Sequence, residues 1–256
     1  MPKSKYGLDQ FYTKPGVVEK CLETLNLDEY DIIIEPSAGE GVFYHMANHN
    51  NKYGYDLEPK SNDIEKCDFL TKDLSFTQNK KTLFFGNPPF GRCSSLALRF
   101  IKKCCEYADT VAFILPKGFK KRSMIDKIPL NFEVLVIKDL DDDLFTFEGN
   151  DYMVPCVWVV LKKTDTLREK ELKLKPSKFT FTTKENSNLA IRRVGVNAGN
   201  VFTDVNVSEQ SHYFLKVDNP ITARELISEI RFSSGDTTGP RSIPKNELII
   251  KLDEVL

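Results

Sequence analysis

No two cysteines of this sequence stand in the C-x-x-C spacing that is typical of structural zinc sites, although six cysteines are present. No apolar run approaches the roughly 20 residues that a helix needs to cross a bilayer, and the first residues lack the apolar stretch of a secretory signal. We therefore expect no metal centre, no membrane partner and reduced thiols. These absences predict an intracellular protein, either cytoplasmic or, in a eukaryotic or viral setting, nuclear or within a viral factory.

Charge of one sign does not dominate the chain, because 36 Lys and Arg are offset by 37 Asp and Glu. The formal net charge of −1 excludes a protein that is basic over its whole surface, but it does not exclude a basic patch. Residues 162–193 contain ten Lys or Arg and four Asp or Glu. A segment of this kind can bind phosphates while the whole chain stays close to neutral.

Strand and helix patterns alternate through the first part of the chain, which favours a mostly parallel, doubly wound α/β sheet. Apolar, β-branched and aromatic runs predict strands at 32–34, 52–56, 82–86, 110–115, 132–137 and 157–161. Helical patterns lie at 17–25, 41–48 and 96–107. The last two strands have only a loop between them, so they predict a hairpin with one antiparallel strand. The amino-acid composition changes after the last of these strands. We therefore expect one domain over 1–163 and a smaller region over 164–256.

A glycine turn follows the first predicted strand, in the run Glu35-Pro-Ser-Ala-Gly-Glu-Gly41. Gly39 and Gly41 can adopt positive φ and let a ligand approach the backbone closely. The full dinucleotide fingerprint G-x-G-x-x-G is absent, because Tyr44 stands in the third glycine position. Asp56 ends the next predicted strand, where a carboxylate can bind ribose hydroxyls. The pattern predicts a nucleoside site at the carboxyl ends of the strands.

The run Gly86-Asn-Pro-Pro-Phe-Gly91 follows another apolar strand. Two prolines stiffen the backbone, and a residue before proline is pushed toward an extended conformation. The turn therefore holds Asn87 at a strand end, where its amide and a nearby carbonyl can accept hydrogen bonds from an –NH₂ group. Phe90 offers a flat face on which a base can stack.

The order of these motifs resembles the S-adenosylmethionine-dependent N6-adenine methyltransferases of the Asn-Pro-Pro-Phe type, in the gamma arrangement of the DNA enzymes. The run Asp9-Gln-Phe-Tyr-Thr-Lys-Pro15 looks like the amino-terminal cofactor motif, and Cys67-Asp-Phe-Leu70 looks like the adenine-ring motif. The resemblance implies a Rossmann-like seven-stranded methyltransferase sheet with a late antiparallel hairpin, plus a small C-terminal α+β recognition region. It also implies a cofactor site made of Phe11, Tyr12, Thr13, Pro15, Glu35, Ser37, Gly39, Gly41, Asp56, Asp68, Phe69 and Asn87.

The resemblance implies catalysis by the turn formed by Asn87, Pro88, Pro89 and Phe90. The Asn87 side chain and the Pro88 carbonyl would hold the target amino group, and most of the acceleration would come from positioning. A target base in a duplex must first leave the stack. Phe90 would cover one face of that base, and Phe145 or Phe147 the other. For binding the nucleic acid we expect Lys117, Arg192 and Arg193, since arginine pairs favour bidentate contacts.

Three other functions share parts of this pattern. RNA adenosine N6 methyltransferases, including cap-adjacent ones, also use the Asn-Pro-Pro-Phe turn, and the short C-terminal region suits them. Enzymes that methylate guanine N2 or a protein glutamine amide share the turn as well. A catalytically inactive nucleic-acid-binding subunit is the remaining alternative, and the intact Gly39, Gly41, Asp56 and Asn87 argue against it.

Overall fold

A computed structural model describes residues 12–140, 145–147, 150–152, 154–170, 172–233 and 241–256. The chain divides into two compact units, Met1–Lys170 and Glu171–Leu256. In the described part of the chain, no helix has the length and apolar character that crossing a bilayer requires. All six cysteines are free thiols.

The first unit contains ten strands and four α-helices among its described residues. The strands are β1 (Tyr12–Thr13), β2 (Ile32–Glu35), β3 (Lys52–Asp56), β4 (Glu65–Lys66), β5 (Thr82–Gly86), β6 (Thr110–Pro116), β7 (Phe132–Asp139), β8 (Phe145–Phe147), β9 (Asn150–Tyr152) and β10 (Cys156–Lys163). The helices are α1 (Pro15–Leu22), α2 (Val42–Met46), α3 (Ser95–Cys105) and α4 (Arg122–Ile125).

Seven of these strands form one sheet in the order β4-β3-β2-β5-β6-β10-β7. The pairs from β4 to β6 are parallel, and β10 runs antiparallel to both of its neighbours, β6 and β7. This confirms the prediction of a Rossmann-like methyltransferase sheet with a late antiparallel hairpin. Because the glycine turn and the Asn-Pro-Pro-Phe turn both follow parallel strands, they lie at the same edge of the sheet.

The apolar runs form strands because the sheet buries them on both faces. Every residue of β2, β5 and β6 is buried, which is why these strands lack a polar alternation. In α3 the buried side chains Ala97, Phe100, Ile101, Cys104 and Cys105 recur at helical spacing and pack into the core. A fully buried side chain of the size of Ile or Phe contributes about 1.5–3 kcal/mol.

A small second sheet, in the order β1-β8-β9, was not expected from the sequence. In it Thr13 pairs with Phe145, although the two are far apart in the chain. Strands of two or three residues are too short to show a period, so the pattern of side chains gave no signal for them.

The first compact unit extends to Lys170, and Arg168 binds the segment that follows β10 to the rest of this unit. Its Nη2 donates to the carbonyls of Ile125 and Ile128 at 3.1 and 3.2 Å, and its Nε donates to the carbonyl of Phe132.

The second unit has the α+β composition that was predicted. Its antiparallel sheet has the order β11-β14-β12-β13, made of β11 (Thr180–Phe181), β12 (Leu189–Arg192), β13 (Val201–Phe202) and β14 (His212–Lys216). The helices α5 (Pro220–Ser228) and α6 (Lys245–Val255) share a separate apolar core with it. Asn219 caps α5 by accepting from the backbone N–H groups of Ile221 and Thr222.

Candidate active site

A cavity of about 520 Å³ opens at the carboxyl ends of the parallel strands in the first unit. Residues from the ends of β2, β3 and β5, from the loops that follow them and from α3 line it. The predicted site residues that line this cavity are Thr13, Glu35, Ser37, Gly39, Asp56, Asp68, Phe69, Asn87, Pro88, Pro89 and Phe90. Motifs that the sequence separates are therefore brought together around one space.

The glycine turn adopts the left-handed backbone that its residues allow. Gly39 has φ 54° and Gly41 has φ 79°. A Cβ on Gly41 would lie 2.8 Å from Cδ1 of Ile64 and 2.9 Å from Nε2 of His45, so both side chains would have to shift to admit one. The turn thus brings bare backbone to the edge of the cavity and starts α2 at Val42.

Asp56 links the glycine turn to the next strand. Its Oδ2 accepts from the N–H of Gly39 and its Oδ1 accepts from the N–H of Glu58, both at 2.8 Å. An ionised carboxylate offers about four lone-pair sites, so two backbone bonds fix its orientation and leave capacity for a ligand hydroxyl.

Asp68 and Phe69 form another wall of the cavity. The Oδ1 of Asp68 accepts from the N–H of Leu70 at 3.0 Å, which caps a short 3₁₀ turn. The ring of Phe69 is buried and stacks on Phe100 of α3, with 5.6 Å between centroids and 14° between planes. This contact attaches α3 to the adenine-ring motif that the resemblance implied.

Glu35 is a buried carboxyl in the cavity wall, with 3% of its surface exposed. Its Oε2 accepts from the backbone N–H of Tyr44 at 2.7 Å. Burial raises the pKa of Glu35 well above its usual range, and the nearby charge of Asp56 raises it further. A Cβ on Gly86, which has φ 125°, would lie 3.1 Å from Oε1 of Glu35, so glycine at this position makes room for the carboxyl.

The Asn-Pro-Pro-Phe turn is held from two sides. The Nδ2 of Asn87 donates to Oγ1 of Thr13 at 3.2 Å, and the backbone carbonyl of Asn87 accepts from Oγ of Ser37 at 3.2 Å. The carbonyl of Phe90 accepts from the N–H groups of Leu96 and Ala97 at 3.2 and 3.3 Å, which joins the turn to the first turn of α3.

The sequence interpretation expected Phe145 to face Phe90 across a gap that holds a base. The structure does not have this arrangement. The side chain of Phe145 is fully buried, and the two rings meet edge to face, with 6.5 Å between centroids and 72° between planes. Phe145 therefore supports the ring of Phe90 from within the protein. Phe147 belongs to β8, and Phe11 lies outside the described residues.

The remaining predicted residues are not among the described residues that line the cavity. Tyr12 belongs to β1, and Pro15 is the first residue of α1. The N–H of Lys117 donates to the carbonyl of Pro155 at 2.9 Å in the turn that follows β6. Arg192 and Arg193 belong to the second unit, where they donate to the carbonyls of Val194 and Gln210 at 3.1 and 2.8 Å.

Several lining residues were not singled out from the sequence. Leu96, Arg99 and Phe100 share one face of α3, because they are spaced three and four residues apart. Arg92 and Leu57 also line the cavity, and Leu57 is 49% exposed. The helical spacing in 96–107 was visible, but nothing in it indicated which face turns toward the site.

No family model and no curated protein matches the chain. Similar solved structures include the 23S rRNA methyltransferase ErmE, with 18% identity over 63% of this chain and 73% of that chain and a TM-score of 0.46. A candidate RNA methyltransferase from Pyrococcus horikoshii has 16% identity over 63% of this chain and 90% of that chain, with a TM-score of 0.45. A protein from Thermoplasma acidophilum has 12% identity over 59% and 85%, with a TM-score of 0.39. At these distances an activity has to be argued from the residues of the site.

Proposed function

We propose that this chain transfers a methyl group from S-adenosylmethionine to the N6 amino group of adenine in nucleic acid, with DNA favoured over RNA. The observation that carries the proposal is the convergence on one cavity of the glycine turn, the carboxylate of Asp56 and the rigid turn at Asn87. A nucleoside site and an amine-binding turn in one cavity suit a reaction that joins a nucleoside cofactor to an amino group.

The residues of the cavity fit this cofactor. Asp56 is oriented by two backbone N–H groups and can bind ribose hydroxyls. Asp68 and Phe69 form the wall for an adenine ring, with Leu57 and Leu96 as apolar surface around it. The bare backbone at Gly39 and Gly41 and the carboxyl of Glu35 suit the amino-acid end, because a buried carboxyl can receive an ammonium group. When bound, the cofactor supplies a methyl group on a positively charged sulfur.

Asn87 and Pro88 are proposed to act on the target amino group. The two prolines fix the turn, so that the Asn87 side chain and the Pro88 carbonyl can accept both N–H bonds of the –NH₂ group. Accepting both hydrogens directs the lone pair of the nitrogen toward the methyl carbon.

The target nitrogen would accept the methyl group that the bound cofactor supplies, and the electron pair of the broken carbon–sulfur bond would stay with the cofactor. The nitrogen becomes cationic, and the carbonyl oxygens that hold it stabilise this charge. A proton leaves the nitrogen for solvent, which gives the N-methyl product and S-adenosylhomocysteine. Phe90, supported by Phe145, forms an aromatic wall against which the base can lie.

The proposal is tested by measuring the transfer of a labelled methyl group and identifying the methylated nucleoside. The acceptors are duplex DNA, single-stranded DNA, RNA and capped RNA. We expect N6-methyladenine, and we expect Asn87→Ala to reduce transfer by at least about 100-fold, because positioning supplies most of the rate. Asn50→Ala, a change of an exposed loop asparagine, is the matched control and should keep full activity. Thermal melting checks that the Asn87 variant is folded.

Other outcomes would replace the proposal. Methylated guanine, or methylated glutamine in a peptide added as a further acceptor, would change the substrate while keeping the turn. Absence of product in every acceptor, with cofactor binding intact, would favour an inactive binding subunit. Full activity in folded Asn87→Ala would remove the turn from the mechanism.

A further inference from the structure

Two arginines of the cavity wall, Arg92 and Arg99, have no role in the chemistry described above. Arg92 follows the Asn-Pro-Pro-Phe turn, and Arg99 lies on the cavity face of α3. Both side chains belong to exposed residues. Among the described residues neither guanidinium forms an ion pair with a carboxylate.

The charges of the cavity are separated. Five acidic residues line the side built from β2, β3 and the loops that follow them: Glu35, Glu40, Asp56, Glu58 and Asp68. The two arginines belong to the segment and helix that follow the Asn-Pro-Pro-Phe turn. Carboxylates bind hydroxyl and ammonium groups, whereas guanidinium groups bind phosphate through two parallel hydrogen bonds.

Both arginines lie on segments that contact other parts of the cavity wall. Hydrogen bonds join Gly39 to Asp56 and Asp56 to Cys67, and the stacking of Phe69 on Phe100 then leads to α3. Arg99 is the neighbour of Phe100 in the helix. Arg92 therefore belongs to the segment that follows the catalytic turn, and Arg99 belongs to the helix that packs on the adenine wall.

The backbone around Arg92 is unusual. Gly91, Cys93 and Ser94 have φ of 66°, 51° and 60°, and the last two are not glycines. A non-glycine residue in this region is strained, and such strain clusters at ligand sites. The bonds from Leu96 and Ala97 to the Phe90 carbonyl, and from the Ser94 N–H to the Gly91 carbonyl at 3.3 Å, hold the segment in place. The surrounding structure therefore maintains a strained loop that carries Arg92 along the cavity.

We propose that Arg92 and Arg99 form a phosphate-binding site for the phosphate attached to the target nucleoside. This inference rests on the proposed function, and it names the substrate as a phosphorylated nucleotide, in preference to a free base or a protein amide. The acceptor base lies at the Asn87 turn while its phosphate is held by the guanidinium pair.

The test uses the full chain with Arg92 and Arg99 both changed to Ala, a second variant with both changed to Lys, and Lys102→Ala as the control. Lys102 is an exposed cation on α3 outside the described cavity lining, so its loss changes the net charge without touching the site. The acceptors are a single-stranded oligonucleotide with one internal adenine and adenosine monophosphate. Cofactor affinity is measured by calorimetry, and melting confirms folding.

We expect the double Ala variant to raise KM for the oligonucleotide by about 10- to 100-fold, since charged hydrogen bonds contribute about 1.5–3 kcal/mol. The salt dependence of oligonucleotide binding should become shallower by about one to two phosphate contacts. The Lys variant should recover part of the affinity, because charge remains and the bidentate geometry is lost. If the double Ala variant raises KM for adenosine monophosphate by the same factor, a terminal phosphate is sufficient for recognition. If KM rises only for the oligonucleotide, the site recognises the phosphodiester.

An unchanged KM and salt slope in the double Ala variant would overturn the inference, as would an equal loss in Lys102→Ala. Weakened cofactor binding in the double Ala variant would also overturn it, because the arginines would then serve the cofactor. If the wild-type chain methylates no adenine, fluorescence anisotropy of the labelled oligonucleotide still separates the two claims. Weaker, less salt-sensitive binding by the double variant would retain the phosphate site while the proposed reaction fails.

Discussion

The side-chain nitrogen of Asn87 donates a 3.2 Å hydrogen bond to the hydroxyl of Thr13, across 74 residues of sequence. Thr13 belongs to β1, whose partner β8 contains the buried Phe145 that supports Phe90. The two outer residues of the Asn-Pro-Pro-Phe turn are thus both connected to the small sheet β1-β8-β9. The orientation of the Asn87 amide therefore depends on a sheet that lies outside the central seven strands.

Thr13→Val is expected to lower kcat about tenfold or more, because valine keeps the shape of threonine but offers no acceptor to the Asn87 amide. Thr13→Ser keeps the hydroxyl and should retain most of the rate. Single-turnover kinetics with saturating cofactor measure the effect. Equal rates in the Val and Ser variants would show that this hydrogen bond does not position the amide.

Asp56→Ala should weaken cofactor binding by about 10- to 100-fold, because it removes a charged acceptor and releases the N–H groups of Gly39 and Glu58. Isothermal calorimetry gives the affinity directly. Asp63→Ala removes an exposed carboxylate that lies outside the described cavity lining and serves as the control. Unchanged affinity in Asp56→Ala would exclude this residue from the cofactor site.

Gly41→Ala is expected to lower the free energy of unfolding by about 1–2 kcal/mol, because alanine is strained at φ 79° and its Cβ would press on Ile64 and His45. Gly16→Ala is the matched control, since nothing lies within 4 Å of a Cβ there and the residue belongs to α1. Alanine at this helical site should be neutral or slightly stabilising. Urea unfolding of both variants makes the comparison, and equal stabilities would contradict the strain.

Glu35→Gln should change how stability depends on pH. Burial raises the pKa of Glu35, so its contribution to stability is fully present below the ordinary carboxyl pKa of about 4.3 and is lost as the pH rises through the raised value. Glutamine keeps an oxygen for the Tyr44 N–H and carries no charge. The stability of the variant minus that of the wild type should therefore increase with pH above about 4.3, in urea titrations without cofactor. A difference independent of pH would refute this assignment.

The strands that the sequence predicted most clearly are those that are buried along their whole length. Ile32–Glu35 and Thr82–Gly86 are buried on both faces, so their apolar runs predict strands without knowledge of their partners. The turn at Asn87 was also visible, because its prolines act locally on the backbone.

The elements that were missed depend on partners distant in the sequence. β4 is exposed and two residues long, and it forms only by pairing with β3 at the edge of the sheet. The hydrogen bond between Thr13 and Asn87, and the position of Phe145 behind Phe90, arise from tertiary packing that no local spacing encodes. Arg99 lies in a correctly expected helix, but its cavity-facing side is set by the stacking of Phe100 on Phe69.

The position of β10 has a consequence for how the polypeptide folds as it is synthesised. β10 is the last of the seven strands in chain order, yet it lies between β6 and β7 and pairs with both. Until residues 156–163 have left the ribosome, β6 has one unpaired edge. Every residue of β6 is buried in the folded protein. An open apolar edge promotes association with other chains, so a nascent chain that pauses before Cys156 should depend on chaperones. The first unit thus completes its central sheet only after its last strand in chain order has been synthesised.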